Sequence, residues 1–553
     1  VGSSDGADGK VGRRFALLAL LAAGAGCESA ASYAGPGGFS VDGGAGAAGH
    51  GGFGGESGAG GGRISGARVF AGLATLQLNG PACTNEAGAT GDRWCAFETH
   101  TDATMATRSL YVVNVSRVAA GVDVTCGPGA ASADCLLLTT DLGVDPGSPP
   151  LHGTFFQGDT LVYYDATWTP YAWRPGMARG RLLVAVPTGG ADAVLCTPAP
   201  RGTAVLCVLL AADQPDPTLE VADLMIGKAD GASEPLLSVA ETLIVASTDD
   251  AGFRPRFGFG FPPGPGDHVG WTSAEGVNGT ATLKLQQAGD GASKMTIASD
   301  VYDWTVSRDA ARWYWLATVT QTGAPTLRTA PFPSGASPTD VRAGVFDFGI
   351  SSADGKTIVA LVTGDTLVAI ADPVGAAGTE LTLDTGVKSL LSFGAAGHVA
   401  YAKHNLGSGT GDLFVKKADG TEPCTVETKD PVPFRSVAFS PDGGGISWAR
   451  LTDTGFDAEY TRLRDCSTMP IASDITLVVP IGNARVLFAD HFDGMTASLH
   501  VRRVGAGNTL RAEPSIPIAD RADSYAISGS DILLYTLNAG GADDGLYVRA
   551  FTD

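Results

Sequence analysis

The stretch Phe434–Arg450, FRSVAFSPDGGGISWAR, alternates apolar and polar positions, breaks at Ser-Pro-Asp-Gly, and then alternates again. Phe434, Val437 and Phe439 sit among polar residues on the first limb, and Ile446, Trp448 and the stem of Arg450 answer on the second. A period close to two predicts a pair of strands. Pro441 presets φ for a turn, Asp442 can hydrogen-bond its own backbone, and Gly443 accepts positive φ, so the pair reads as a hairpin.

The same punctuation recurs along the chain. Ser307-Arg308-Asp309, Ser352-Ala353-Asp354-Gly355, Ala395-Ala396-Gly397, Ser440-Pro441-Asp442-Gly443, Gly482-Asn483 and Ser528-Gly529-Ser530-Asp531 follow one another at about 41–47 residues. That is the period of four-stranded propeller blades. A second marker keeps step: SLYVVNV from Ser109, DTLVAIA from Asp365, GDLFVKKADG from Gly411, SLHVRRV from Ser498 and GLYVRAF from Gly545 each read as a further alternating strand.

The run Gly411–Thr421, GDLFVKKADGT, together with the Phe434–Arg450 hairpin, resembles TolB-like β-propeller repeats, and Met225–Gly231 is a fainter echo. The resemblance covers most of the chain beyond Ile64 and is strongest from about Val301 onward. It implies an all-β propeller of four-stranded blades. TolB itself is a periplasmic propeller that docks on a peptidoglycan-associated lipoprotein, and related repeats form the propeller half of some peptidases. Only blade-forming positions match, so no functional residue is carried over.

Counting markers gives about ten repeats between Ile64 and Asp553, and the final one, GLYVRAFTD, is short of its outer strand. Ile64–Leu73, ISGARVFAGL, is the segment expected to complete it. An unfinished blade would leave an open edge. Ten repeats exceed the usual four to eight blades, so the expectation is either one large ring or two tandem propellers within a body spanning 64–553.

Ahead of that body, Lys10, Arg13 and Arg14 precede an apolar run from Phe15 to about Gly26, and Cys27 follows directly. A basic stretch with a short apolar core reads as an export signal and is too short to span a bilayer. Gly24-Ala25-Gly26-Cys27 resembles the lipobox of bacterial lipoproteins, although Gly24 replaces the usual Leu. The resemblance implies that residues 1–27 are a signal segment and that Cys27 carries the lipid. Residues 28–63 collapse to Gly, Ala and Ser, as in GGAGAAGHGGFGGESGAGGG, and read as a disordered tether that cannot bury a core.

Composition narrows the partners. With 37 basic against 58 acidic side chains, the formal charge is -21, which argues against a nucleic-acid partner. The 77 glycines suit short strands and tight turns. Of nine cysteines, the eight apart from Cys27 fall into neighbours along the chain: Cys83 with Cys95, Cys126 with Cys135, Cys196 with Cys207, and Cys424 with Cys466. Connectivity stays open, because eight cysteines allow about 105 pairings. If those four bonds form, each short loop contributes on the order of 3 kcal/mol and the longer one nearer 4, and the compartment is oxidising. Free buried cysteines or a metal site are the alternative, without a Cys-x-x-Cys or paired-histidine spacing to favour it.

Catalytic patterns are sparse. The histidines at 50, 100, 152, 268, 398, 404, 491 and 500 are scattered, and neither a Gly-x-Ser-x-Gly elbow set between a strand and a helix nor a phosphate loop is present. The Asp-Gly turns offer one carboxylate each, too few for calcium. No cofactor or metal is therefore expected. Trp313 and Trp315 alternate onto one face and read as packing between blades. Trp168 and Tyr171, beside prolines in WTPYAWRPG, are the residues assigned to a ligand-binding mouth. The sequence thus favours a non-enzymatic, lipid-anchored propeller of the bacterial envelope, in the periplasm or at the outer membrane, that binds a protein or glycan partner. The alternative is a hydrolase whose carboxylates meet at the central channel.

Overall fold

The most apolar runs in each repeat, such as Ile358–Val362, His398–Ala402 and Ile532–Leu537, are buried at every position. A strand shielded on both faces needs neighbours on both edges and a sheet stacked on each side. The computed structural model supplies them. It describes residues 65–551 except for connecting segments, the longer of which are 85–90, 101–107, 144–154, 212–218, 248–258, 275–280, 318–324, 404–411, 428–433 and 505–513. Cys27, the signal segment 1–27, the tether 28–63 and His404 lie outside the described residues.

Among the described residues the strands form antiparallel meanders: five sheets of four strands, one of seven and one of ten. The larger sheets divide at long strands, Met295–Val306, Ser467–Ile481 and Ile516–Ser528. In these, Val301, Ile475 and Ala522 pair with both neighbours, marking where the fourth strand of one unit runs on as the first of the next. Ten four-stranded blades result: blade 1 (74–139), 2 (155–182), 3 (191–247), 4 (259–301), 5 (301–343), 6 (345–385), 7 (389–427), 8 (434–475), 9 (475–522) and 10 (522–550). Blade 10 takes its fourth strand from the other end of the described chain, where Ala67–Ala71 pairs antiparallel with Gly545–Ala550. The segment around 64–73 therefore completes the last blade, as its sequence predicts.

The chain makes one ring. Each apolar cluster joins two successive blades, from Val162 and Cys207 across blades 2 and 3 to Leu499 and Tyr535 across blades 9 and 10. The largest cluster unites blade 10 with blades 1 and 2 through Val548, Phe97 and Trp173. Two tandem propellers would each close on themselves, so this order of contacts selects the single ring of ten.

Trp313 and Trp315 are buried between blades 4 and 5, where Trp313 meets Trp304 at 5.5 Å. The Phe434–Arg450 hairpin forms with a register shift between Arg435 and Ala438. That bulge absorbs the out-of-phase step between Phe434 and Val437 in the sequence pattern. Its turn is fixed by Ser440, whose Oγ donates to Asp442 (2.6 Å) and accepts from the Gly445 N–H (2.9 Å). Ser307 and Asp309 repeat the arrangement in blade 5.

Disulfides join Cys83 to Cys95 and Cys126 to Cys135 in blade 1, and Cys196 to Cys207 across the first two strands of blade 3. Cys424–Cys466 staples blade 7 to blade 8.

Candidate binding surface at the hub

In blade 6 burial grades across the sheet: the second and third strands are buried, the fourth, Thr379–Thr385, is the most exposed, and the first is intermediate. The first strands therefore line the central channel. In blades 5 and 6 these strands read VYDWTV and VFDFGI. Tyr302, Trp304 and Phe348 are half-buried, and Phe346 is 53% exposed, the most exposed large apolar side chain on a first strand among the described residues. Blade 7 continues the row with Leu390, Leu391 and Phe393, and blade 8 with Val437 and Phe439.

Glycine sets the spacing of this row. A Cβ on Gly349 would lie 2.5 Å from the Phe393 ring, and one on Gly394 would lie 2.8 Å from Phe439. The Phe393 and Phe439 rings thus occupy the space that a side chain at these glycines would need, at the boundary with the preceding blade.

Asp303 and Asp347 occupy equivalent positions, four residues before Ser307 and Ser351. Asp347 is reached by solvent yet ringed by protein. That desolvation, reinforced by the Asp303 charge and opposed by a Phe348 backbone hydrogen bond, raises its carboxyl above the ordinary range. Asp303 accepts the Trp304 N–H at 2.8 Å. The turn carboxylates behave oppositely. Asp354 is partly desolvated but is held below the usual range by Thr357 and the Lys356 and Thr357 N–H groups. Asp309 is lowered first by Ser307. The hub thus offers half-buried aromatics beside two acids, one of them raised chiefly by desolvation, suited to apolar rings or sugar faces with hydrogen-bond donors.

Trp168 and Tyr171 lie elsewhere, together on the hairpin between the second and third strands of blade 2. Asp165 organises that turn, accepting from the N–H groups of Thr167 (2.9 Å) and Thr169 (3.1 Å) and from the Tyr171 hydroxyl (3.2 Å). Tyr171 stacks on Tyr163 at 5.5 Å, and Trp168, at φ 61°, leans on Tyr164 at 6.3 Å. Both rings are half-buried and are not brought to the row on blades 5–8.

Of the described histidines, His398 stacks on Phe439 at the blade 8 end of the row, with ring centroids 6.1 Å apart. His398 is buried, with Nε2 3.2 Å from Glu422, and desolvation lowers its pKa. His491 and His500 share Asp490 Oδ1 at 2.7 and 3.2 Å. Among the described residues no group of three or more His, Cys, Asp or Glu side chains is placed to hold a metal ion. Asn114 is buried and caps the helical turn Val115–Ala119 by accepting the Arg117 N–H at 3.2 Å.

No family model and no curated protein sequence matches the chain. Among solved structures it is similar to a eukaryotic initiation factor at 11% identity and TM-score 0.44, covering 74% of this chain and 94% of that one. It is also similar to the tricorn protease (11%, TM-score 0.30, 83% and 56%) and to the β-propeller domain of the trilobed protease from Pyrococcus furiosus (11%, TM-score 0.30, 60% and 98%). The propeller assignment rests on the sheet order described above.

Proposed function

We propose that the protein is a non-enzymatic, lipid-anchored propeller of the bacterial envelope that holds a protein or glycan partner against the hub of blades 5–8. The observation that carries this reading is the row Tyr302, Trp304, Phe346, Phe348 and Phe393 on adjoining first strands, with Asp303 and Asp347 beside it. Four disulfides support an oxidising compartment. The TolB-like repeats and the lipobox-like Gly24–Cys27 support the envelope address. Aromatic anchors of this kind dominate interface energetics.

The test uses the full chain against a panel of peptidoglycan fragments and envelope oligosaccharides, and against purified peptidoglycan-binding lipoproteins. Replacing Phe346 and Trp304 together by Ala is expected to weaken the bound member at least tenfold, about 1.4 kcal/mol; unchanged affinity, or no binding by the parent chain, refutes the reading. Cys27→Ser is expected to move the protein from membrane to soluble fractions, and unchanged membrane retention refutes the anchor.

Asp347 on a first strand, raised chiefly by desolvation with the Asp303 charge adding to it, favours a second reading, a hydrolase with its acid at the channel. Turnover of an ester or glycoside panel that is lost in Asp347→Asn would establish it, and no turnover by the parent chain would dismiss it.

A further inference from the structure

The outermost strand of a propeller blade ordinarily leaves one edge unpaired. Blade 10 departs from that pattern. The register of its closing strand, Ala67–Ala71, against Gly545–Ala550 skips Val69, between Arg68↔Tyr547 and Phe70↔Leu546. The bulge turns the Val69 carbonyl away from that partner, and it accepts the Cys126 N–H at 2.8 Å, while Phe70 and Cys126 form a parallel bridge. Phe70 then lies against Phe97 (5.7 Å) and Tyr111 (6.0 Å) of blade 1.

Cys126 belongs to the connection between the third and fourth strands of blade 1. Its disulfide partner, Cys135, opens the fourth strand, Cys135–Thr139, and pairs with Val113. Around it, the Cys135 N–H donates to Ser132 O, and Arg117 pairs with Asp134 at 3.6 Å. The closing strand is thus held on one edge by the last strand and on the other by a loop tied covalently to the first blade. The seam between blades 10 and 1 is further fixed by Arg93, which pairs with Asp531 and donates to Ser528 O.

We propose that the Cys126–Cys135 disulfide is the lock on ring closure: it keeps residue 126 on the outer edge of Ala67–Ala71, and breaking it loosens the closing strand while the other blades stay folded. A dithiol reductant does this in balance. One of its thiolates attacks a sulfur of the pair to form a mixed disulfide, and its second thiol displaces that bond. Cys126 and Cys135 leave as thiols with two protons, and the reductant is oxidised to its own disulfide. The loosened strand exposes sheet edge at blade 10.

Native-state hydrogen exchange on the full chain tests this, comparing Cys126→Ala/Cys135→Ala with Cys196→Ala/Cys207→Ala, which removes a disulfide of similar span in blade 3. The expected result is at least tenfold faster exchange at residues 69–71 in the first variant, no such change there in the second, and unchanged protection of 358–362 in both. Unaltered exchange at 69–71, or equal acceleration in both variants, overturns the proposal. Should the first variant fail to fold, the parent chain is titrated with dithiothreitol. Molecules in which mass tagging finds only Cys126 and Cys135 reduced must then show the same acceleration at 69–71; their failure to do so overturns the proposal equally.

Discussion

Glu98 sits on the second strand of blade 1, Trp94–His100, with its side chain 6% exposed and Oε2 3.0 Å from Arg108 Nη1. Burial dominates its titration: desolvation raises the carboxyl to about 7 from an ordinary 4.5, even though Arg108 pulls it down. The unfolded chain releases this proton first, so between about 4.5 and 7 the folded state holds more protons. Stability from this group is therefore complete below 4.5, falls as pH rises toward 7, and levels off above it. At about 1.4 kcal/mol per pH decade the full loss is roughly 3 kcal/mol. Glu98→Gln keeps the shape and an acceptor for Arg108 but has no proton to lose. It is expected to match the parent chain near pH 4.5 and to exceed its stability by about 2–3 kcal/mol at pH 8. Guanidinium unfolding followed by tryptophan fluorescence, with disulfides intact, gives the two profiles, and their difference isolates Glu98 from every other titrating group. Parallel profiles, or a Gln variant less stable at pH 8, would refute the argument that desolvation outweighs the ion pair.

Gly349→Ala places a methyl 2.5 Å from the Phe393 ring and is expected to lose about 1–3 kcal/mol in chemical denaturation, with much of the loss recovered when Phe393→Leu is added. Glu241 accepts from Lys284 Nζ (2.6 Å) and Trp271 Nε1 (2.9 Å) between blades 3 and 4. Glu241→Leu takes that carboxylate from a buried lysine and is expected to lose about 3–5 kcal/mol by the same measurement. Asp303→Asn removes the neighbouring charge and is expected to lower the Asp347 pKa in a carboxyl NMR titration; an unmoved Asp347 would separate the two groups.

The architecture was legible where backbone chemistry repeats. Ser440-Pro441-Asp442-Gly443 and its counterparts fix the turns between first and second strands, and SLHVRRV and GLYVRAF are third strands, because both depend on local hydrogen bonding and alternation. Ring closure by ISGARVFAGL followed from the missing outer strand of the last repeat. Whether ten blades make one ring was not legible, since that depends on which sheets stack. The hub row was missed for a related reason. First strands are short and half-exposed, so Tyr302 or Phe346 looks in sequence like an ordinary core aromatic. One signal was present: aligning VYDWTV with VFDFGI on the following serine superimposes Asp303 on Asp347 and Trp304 on Phe348. Trp168 and Tyr171 drew attention through their prolines, but their turn is organised internally by Asp165.

Because strand 67–71 must wait for strand 545–550, the tenth blade cannot exist until synthesis has passed residue 550. A ribosome-bound chain short of that point is a row of blades with two raw ends, and the strand at 67–71 stays orphaned until its partner is made. Deleting 67–71 or 545–550 strikes the same sheet, whereas a permuted chain that opens between blades 5 and 6 and runs from residue 551 through a short linker into residue 65 would let the seam fold as a local hairpin.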